Sequence, residues 1–233
     1  MARKSLMSAA PLAVPGYLEE TYWWAYVHPK AVYIFERQWL VNLILWGNFA
    51  RLRDAALDAL GCNLSGRTLQ IACVYGDLTA RIRDRLLPDS KLDIVDILPV
   101  QLNNLARKLP DDPRIGLIHG DSASLTMPSA SYDRALLFFL LHEMPEDVRR
   151  ATLAEALRIL KPGGQLVIVD YHRPSPLNPL HWPMQGILRT LEPYAMDLWR
   201  HPIESWLPAD VAIREISKTI SFGGLYQLVN IRV

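Results

Sequence analysis

Residues 157–171 read LRILKPGGQLVIVDY, and this run holds the end of a helix, its stop signal and a buried strand, in that order. The helix predicted over 145–160 puts Val148, Leu153, Ala156, Leu157 and Leu160 at helical spacing, which gives it one apolar face. Lys161-Pro162-Gly163-Gly164 then stops it, because proline lacks the N–H a helix needs and glycine takes backbone angles other residues avoid. The apolar run 165–171 that follows reads as a strand covered on both faces.

The same alternation repeats on the amino-terminal side. TLQIACV (68–74), KLDIVDI (91–97), IGLIHG (115–120) and YDRALLFFL (132–140) read as strands. Helices are predicted over 78–87 and 99–109, the second opening on Pro99. Apolar strands separated by amphipathic helices predict a parallel sheet with helices on both faces. On the carboxyl side, strand-like runs at about 213–222 and 225–232 flank Gly223-Gly224, which predicts an antiparallel hairpin. Residues 1–65 predict an aromatic-rich helical cap, with Tyr22, Trp23, Trp24, Tyr26, Tyr33, Phe35, Trp39 and Trp46 among its members. The expected organisation is a single domain: cap over 1–65, ligand-binding core over 66–173, and a helix with antiparallel strands over 174–233.

Composition narrows the function. Half of the 233 residues are hydrophobic, which excludes general disorder. The net charge of +1 and the absence of a basic run argue against a nucleic-acid partner, which needs a clustered positive footprint. Cys62 and Cys73 form no CxxC pair, so neither a zinc finger nor a disulfide framework is indicated. MARKSLMSAAPLAVPG (1–16) reads as a mobile tail rather than a targeting segment. WLVNLILW (39–46) is well short of the ~20 residues that span a bilayer.

In an open parallel sheet, ligands bind beyond the carboxyl ends of the strands, near the reversal in strand order. Four loops therefore matter. After the first strand comes Ala72-Cys73-Val74-Tyr75-Gly76-Asp77. A nucleotide loop uses glycine where backbone must approach the ligand or take positive φ, and here Gly76 alone is glycine. After the second strand, Asp96, followed by Ile97, has two open roles: accepting ribose hydroxyls or capping the helix at Pro99. After the third, Asp121 and Ser122 either meet an adenine edge or form a turn. After the fourth come His142 and Glu143.

The order and spacing of these pieces resemble class I S-adenosylmethionine (SAM)-dependent methyltransferases over about 66–173. LQIACVYGDLT, the strand ending in Asp96, GDSA (120–123), SYDRA (131–135), LHEMP (141–145) and LRILKPGGQLV (157–167) carry the likeness. It implies a Rossmann-like class I methyltransferase fold, with Asp96 at the ribose and Asp121 at the adenine. The first motif departs from the pattern: Gln70 stands at the acidic position, and Ala72 and Val74 at glycine positions.

That altered motif, the aromatic cap, DYHRP (170–174) and FGGLYQL (222–228) resemble rhodoquinone-biosynthesis proteins of the RquA type. The resemblance implies conversion of ubiquinone to rhodoquinone, an amino group from SAM replacing a ring methoxy with help from manganese. It implies SAM contacts from Gln70, Ala72, Val74, Tyr75, Gly76, Asp96, Ile97, Asp121 and Ser122. Candidate metal ligands at strand ends are His142, Glu143, Asp170 and His172, since manganese favours oxygen and imidazole donors. Glu143 reads equally as a helix-start charge. His142, Tyr171 and His172 are the catalytic candidates, with core aromatic packing as the other reading of Tyr171. A polyprenyl tail needs an apolar way in, for which residues 22–46 and 180–184 are candidates. Peripheral contact with the inner face of a membrane, in a cytoplasmic protein, is the matching expectation.

Overall fold

The structure is a computed structural model and describes residues 12–22, 32 and 35–233. The expected amino-terminal tail and the cap aromatics Trp23, Trp24, Tyr26 and Tyr33 lie outside the described residues.

One seven-stranded sheet organises the chain. Its strands are β1 (Arg67–Ile71), β2 (Lys91–Asp96), β3 (Ile115–His119), β4 (Tyr132–Phe138), β5 (Leu160–Tyr171), β6 (Glu215–Ser221) and β7 (Tyr226–Arg232). The spatial order is β3-β2-β1-β4-β5-β7-β6. β1 to β5 are mutually parallel, and β7 runs antiparallel to both β5 and β6. The chain starts mid-sheet at β1, winds outward to β3, then crosses back to β4. The carboxyl ends of β1 and β4 therefore flank the reversal point where such sheets take ligands. This is the doubly wound, mostly parallel arrangement the alternating pattern predicts, and the predicted hairpin turns through Phe222–Gly224.

The described helices are α1 (Gly16–Thr21), α2 (Gln38–Ile44), α3 (Phe49–Leu60), α4 (Leu78–Asp84), α5 (Pro99–Lys108), α6 (Glu146–Arg158), α7 (His181–Leu191) and α8 (Ala195–Arg200). α3 packs on β5 and β7, α5 on β2 and β3, and α6 on β5. The core strands are buried on both faces; Leu69, Ile71, Ile94, Leu136, Val167 and Ile168 are fully enclosed. No described helix is long and apolar enough to cross a membrane.

Three boundaries differ from expectation. β1 stops at Ile71 rather than residue 74, because Ala72 turns to φ +70° and leaves the ladder. β4 stops at Phe138, with Phe139 at φ +53°. α6 ends at Arg158, and β5 already starts at Leu160. Tyr132 pairs with Leu160 but Arg134 pairs with Gln165, so Lys161–Gly164 bulges out of the β4 ladder. Gly163, at φ +82°, donates its N–H to the Val233 carbonyl at 2.7 Å and ties the bulge to the chain end.

Candidate functional site

A cavity of about 640 Å³ opens at the carboxyl end of the sheet. Its wall combines the loops after β1 (Ala72–Tyr75), β2 (Asp96–Leu98), β3 (Gly120–Ser122) and β4 (Phe138–Leu140, His142–Met144) with residues of α1, α2 and α7.

The β1 loop keeps a glycine-like shape without the glycine. Ala72 holds φ +70°, a conformation that costs an L-residue roughly 1–2 kcal/mol. Gln70 braces the turn from behind: its Nε2 donates to Ala72 O at 2.9 Å, and its Oε1 accepts from Thr79 at 2.9 Å. Gln70 is fully buried and absent from the cavity wall, as is Gly76. Gly76 is glycine for packing: at φ +82°, a Cβ there would lie 2.8 Å from the Phe49 ring. Asp77 follows and is gripped by Arg53 at 2.8 and 3.0 Å and by Arg81 at 2.6 Å. Val74 and Tyr75 do line the cavity, and at Val74 a side chain stands where the usual pattern leaves bare backbone.

Asp96 does not take the capping role that was one of the two open for it, since Leu98 is the N-cap residue of α5 and no side chain caps that helix. The Asp96 Oδ1 accepts the Leu98 N–H at 2.8 Å, at the start of α5, and its Oδ2 accepts the Cys73 N–H at 2.7 Å across the β1 loop. It also lines the cavity. Burial raises its pKa, opposed by those two amide bonds. A carboxylate anchored this way has a fixed direction, which suits a ribose diol. Ile97 lies beside it in the wall. Asp121 accepts the Ala123 N–H at 2.8 Å in a local turn and lines the cavity with Ser122, whose hydroxyl meets Thr152 at 3.0 Å.

The loop after β4 carries the groups able to move protons. His142 is buried, and its Nδ1 sits 2.9 Å from Asp170 Oδ1. Burial disfavours the imidazolium, yet the Asp170 charge and hydrogen bond outweigh it and raise the pKa to about 9. Arg149, fully buried, fixes this segment by donating to the carbonyls of Leu141 (3.0 Å), Met144 (2.7 Å) and Tyr194 (3.1 Å) while its guanidinium lies 4.3 Å over the Trp206 ring. Glu143 and Tyr171 share the cavity wall. Tyr171 also belongs to an aromatic cluster with His142, Phe139 and Tyr226, so its core reading holds as well.

Two candidates are employed elsewhere. Asp170 is fully buried and saturated: its oxygens accept the N–H groups of Leu141, His142 and Tyr171 as well as the His142 ring. His172 bonds the Gly224 carbonyl through Nδ1 at 2.8 Å and holds the hairpin turn, outside the cavity wall. Of the four metal candidates, His142 Nε2 and Glu143 alone remain near each other, 3.8 Å apart. No cluster of three or more metal-ligating side chains exists among the described residues. Manganese takes a larger oxygen-rich donor set, so these residues do not fit a protein-held ion.

The mouth of the cavity is apolar. Leu43, Ile44 and Trp46 at the α2 end, and Ile187 and Leu191 of α7, both line it and face solvent. Trp46 Nε1 donates to Met184 Sδ at 3.0 Å and joins the two sides. Trp39, 62 % exposed, lies one turn before Leu43 on α2, whereas Trp182, 69 % exposed, is on the side of α7 opposite Met184 and Leu191. Of the apolar doorway expected at 180–184, Met184 lines the cavity.

Sequence reasoning missed Tyr17 and Glu192, both in the wall. Burial raises the Glu192 carboxyl, and the Tyr22 hydroxyl bonds to it. α1 and the end of α7 carry no motif, so proximity to the site is the signal, and the fold alone supplies it.

Comparison with known proteins places this geometry. The family described as Methyltransferase domain matches residues 68–164. A demethylmenaquinone methyltransferase of Beutenbergia cavernae is 30 % identical over 179 residues, covering 72 % of this chain and 70 % of that one. The ubiquinone/menaquinone biosynthesis C-methyltransferase UbiE of Syntrophotalea carbinolica is 31 % identical over 142 residues, 60 % of this chain and 58 % of that one. A demethylmenaquinone methyltransferase of Bacillus licheniformis is 25 % identical over 134 residues, and the chain spans 57 % of its length. Among solved structures, human N-acetylserotonin methyltransferase in complex with SAM superposes with a TM-score of 0.63 at 17 % identity, covering 94 % of this chain and 60 % of that one. The N-methyltransferase NodS of Bradyrhizobium japonicum gives 0.58 at 14 % identity, covering 78 % and 94 %. At these identities the two structures establish the fold.

Proposed function

The chain belongs to the class I SAM-dependent methyltransferase family, and from that premise we propose that it modifies the ring of a polyprenyl quinone, exchanging a methoxy group of ubiquinone for the amino nitrogen of SAM. The observation that carries the quinone is the cavity itself. It is continuous from anchored carboxylates, Asp96 and Asp121, through the His142–Asp170 pair to an exposed apolar mouth. A nucleoside fits the first end and a greasy tail the last, with the reacting ring between. The relatives named for menaquinone and ubiquinone biosynthesis support the same substrate class.

The altered loop favours amino transfer. Val74, at a position the pattern gives to glycine, lines the cavity with Tyr75 beside it. Their bulk shifts the methionine end of SAM and presents its amino group to the acceptor. The amine adds to the ring carbon, the methoxy group leaves as methanol, and elimination of the SAM Cα–N bond with loss of a Cβ proton leaves NH2 on the ring. His142, paired through Nδ1 with Asp170, is the residue whose Nε2 would donate to a developing charge on the ring oxygen. The manganese implied by the resemblance finds no more than two donors among the described residues, His142 and Glu143, so His142 acts without it. Methyl transfer is the second reading, favoured by the activity in the relatives' names.

The exposed apolar residues Trp39, Leu43 and Trp46 support peripheral contact with a bilayer, from which a tailed quinone enters without crossing water. The decisive experiment incubates purified protein with short-tail ubiquinone and SAM carrying heavy nitrogen at its amino group, with and without manganese, and reads the product by mass spectrometry. A lighter quinone bearing the label supports amino transfer. A heavier, unlabelled quinone establishes methyl transfer. An unchanged quinone under both conditions refutes the substrate.

A further inference from the structure

Glu36 belongs to no motif, yet it accepts from the cofactor loop at Gly76 and from the lysine that spans that loop. Its Oε1 accepts the Gly76 N–H at 3.1 Å and the Lys108 ammonium at 2.6 Å. Its Oε2 accepts the Asn104 amide at 2.6 Å. Lys108 reaches on to the Gly76 carbonyl at 3.0 Å and the Val74 carbonyl at 3.5 Å. Beside it, the Phe35 ring stacks on Tyr75 with centroids 6.1 Å apart and planes at 21°. The Tyr75 hydroxyl accepts from Gln101 at 2.8 Å. Gln101, Asn104 and Lys108 recur on one face of α5, so a single helix edge supplies the side-chain donors to Tyr75 and Glu36. The ion pair is mostly shielded, with side chains 21 % and 23 % exposed, and solvent screens it only in part.

What lies on each side of Glu36 gives these contacts a purpose. The chain continues through Arg37 into α2, where Leu40, Val41, Leu43 and Ile44 form the roof and mouth of the cavity. On the other side, the loop it grips holds Ala72 at positive φ and carries Val74 and Tyr75 in the cavity wall. Roof and cofactor loop are thereby tied through one carboxylate.

We propose that Glu36 is a positioning residue that latches the approach to α2 onto the cofactor loop, so that SAM is retained only while the roof is closed. SAM release then requires the latch to open. The inference rests on the family's use of SAM and not on the identity of the acceptor.

The test uses the full chain without any quinone. SAM dissociation is followed after mixing with excess unlabelled ligand, and amide hydrogen exchange is read on peptides covering residues 72–77. Glu36→Gln keeps the shape but loses the charge-assisted bonds, and such bonds are worth enough to speed SAM dissociation about tenfold or more. Lys108→Gln gives the same direction. Both variants raise exchange in the loop, and Glu36→Asp restores part of each effect. Wild-type dissociation and exchange in folded Glu36→Gln and Lys108→Gln overturn the latch. So does a loss of SAM that follows global unfolding in every variant, with no separate rise in loop exchange. An unchanged quinone in the mass-spectrometric experiment leaves this test untouched.

Discussion

Asp170→Asn removes the charge that keeps His142 protonated while preserving the side chain's size. The carboxylate lies 2.9 Å from Nδ1 in a site closed to water, and it lifts the imidazole from its ordinary 6.5 to about 9 against the opposing effect of burial. That difference corresponds to about 3 kcal/mol of coupling between the proton and the fold. The folded value lies above the unfolded one. The contribution is therefore complete below about pH 6.5 and is lost as the pH rises through about 9. In the variant, burial acts on the imidazole without the Asp170 charge, and the His142 pKa falls, with the Glu192 and Glu143 charges still favouring the imidazolium. With its oxygen toward the Leu141 and His142 amides the introduced side chain keeps the path at 141–143, while its NH2 faces the Tyr171 N–H and leaves that donor unpaired. Two measurements check this: titration of the imidazole carbon resonances by NMR, and chemical unfolding at pH 6.5 and pH 9. The wild-type protein loses stability across that window, and the variant loses much less. A variant imidazole still titrating near 9, or equal pH slopes in the two proteins, refutes the reasoning.

Ala72→Gly relieves a positive φ that costs roughly 1–2 kcal/mol in an L-residue, against about 0.5–1 kcal/mol of added backbone entropy in the unfolded chain. The midpoint of thermal unfolding rises by about 1–3 °C, and a fall contradicts the strained assignment. Trp39→Ser combined with Leu43→Ser strips exposed apolar surface from α2, where burial of each side chain is worth about 1.5–3 kcal/mol. Co-sedimentation with lipid vesicles drops at least about tenfold by the same reckoning, and equal sedimentation removes the bilayer from the proposal.

Element type was legible because it depends on local pattern. The alternation of apolar strands with amphipathic helices needed no long-range information, whereas Lys161–Gly164, expected to stop the helix, is a bulge inside β5 because the helix has already ended at Arg158. The ends of β1 and β4 were not legible: Ala72 and Phe139 leave their strands at positive φ, which no local preference of alanine or phenylalanine announces. The site divides the same way. Ala72, Val74, Tyr75, Asp96, Ile97, Asp121, Ser122, His142, Glu143 and Tyr171 are in the cavity wall because strand ends converge wherever a parallel sheet reverses order.

The chain order by itself determined a doubly wound sheet with its loops at one end, since strand and helix periodicity and right-handed crossovers leave few alternatives. Tertiary structure alone decided which groups are free to act. Asp170 and His172 look like ligands in the sequence, but three backbone amides and the His142 ring occupy the first, and the Gly224 carbonyl the second. Glu36 and Glu192 look like surface charges, yet one grips the cofactor loop and the other lines the cavity. The physical reason is that hydrogen-bond capacity is spent in three dimensions. A carboxylate's role depends on which donors the fold brings to it, and those donors come from distant parts of the chain.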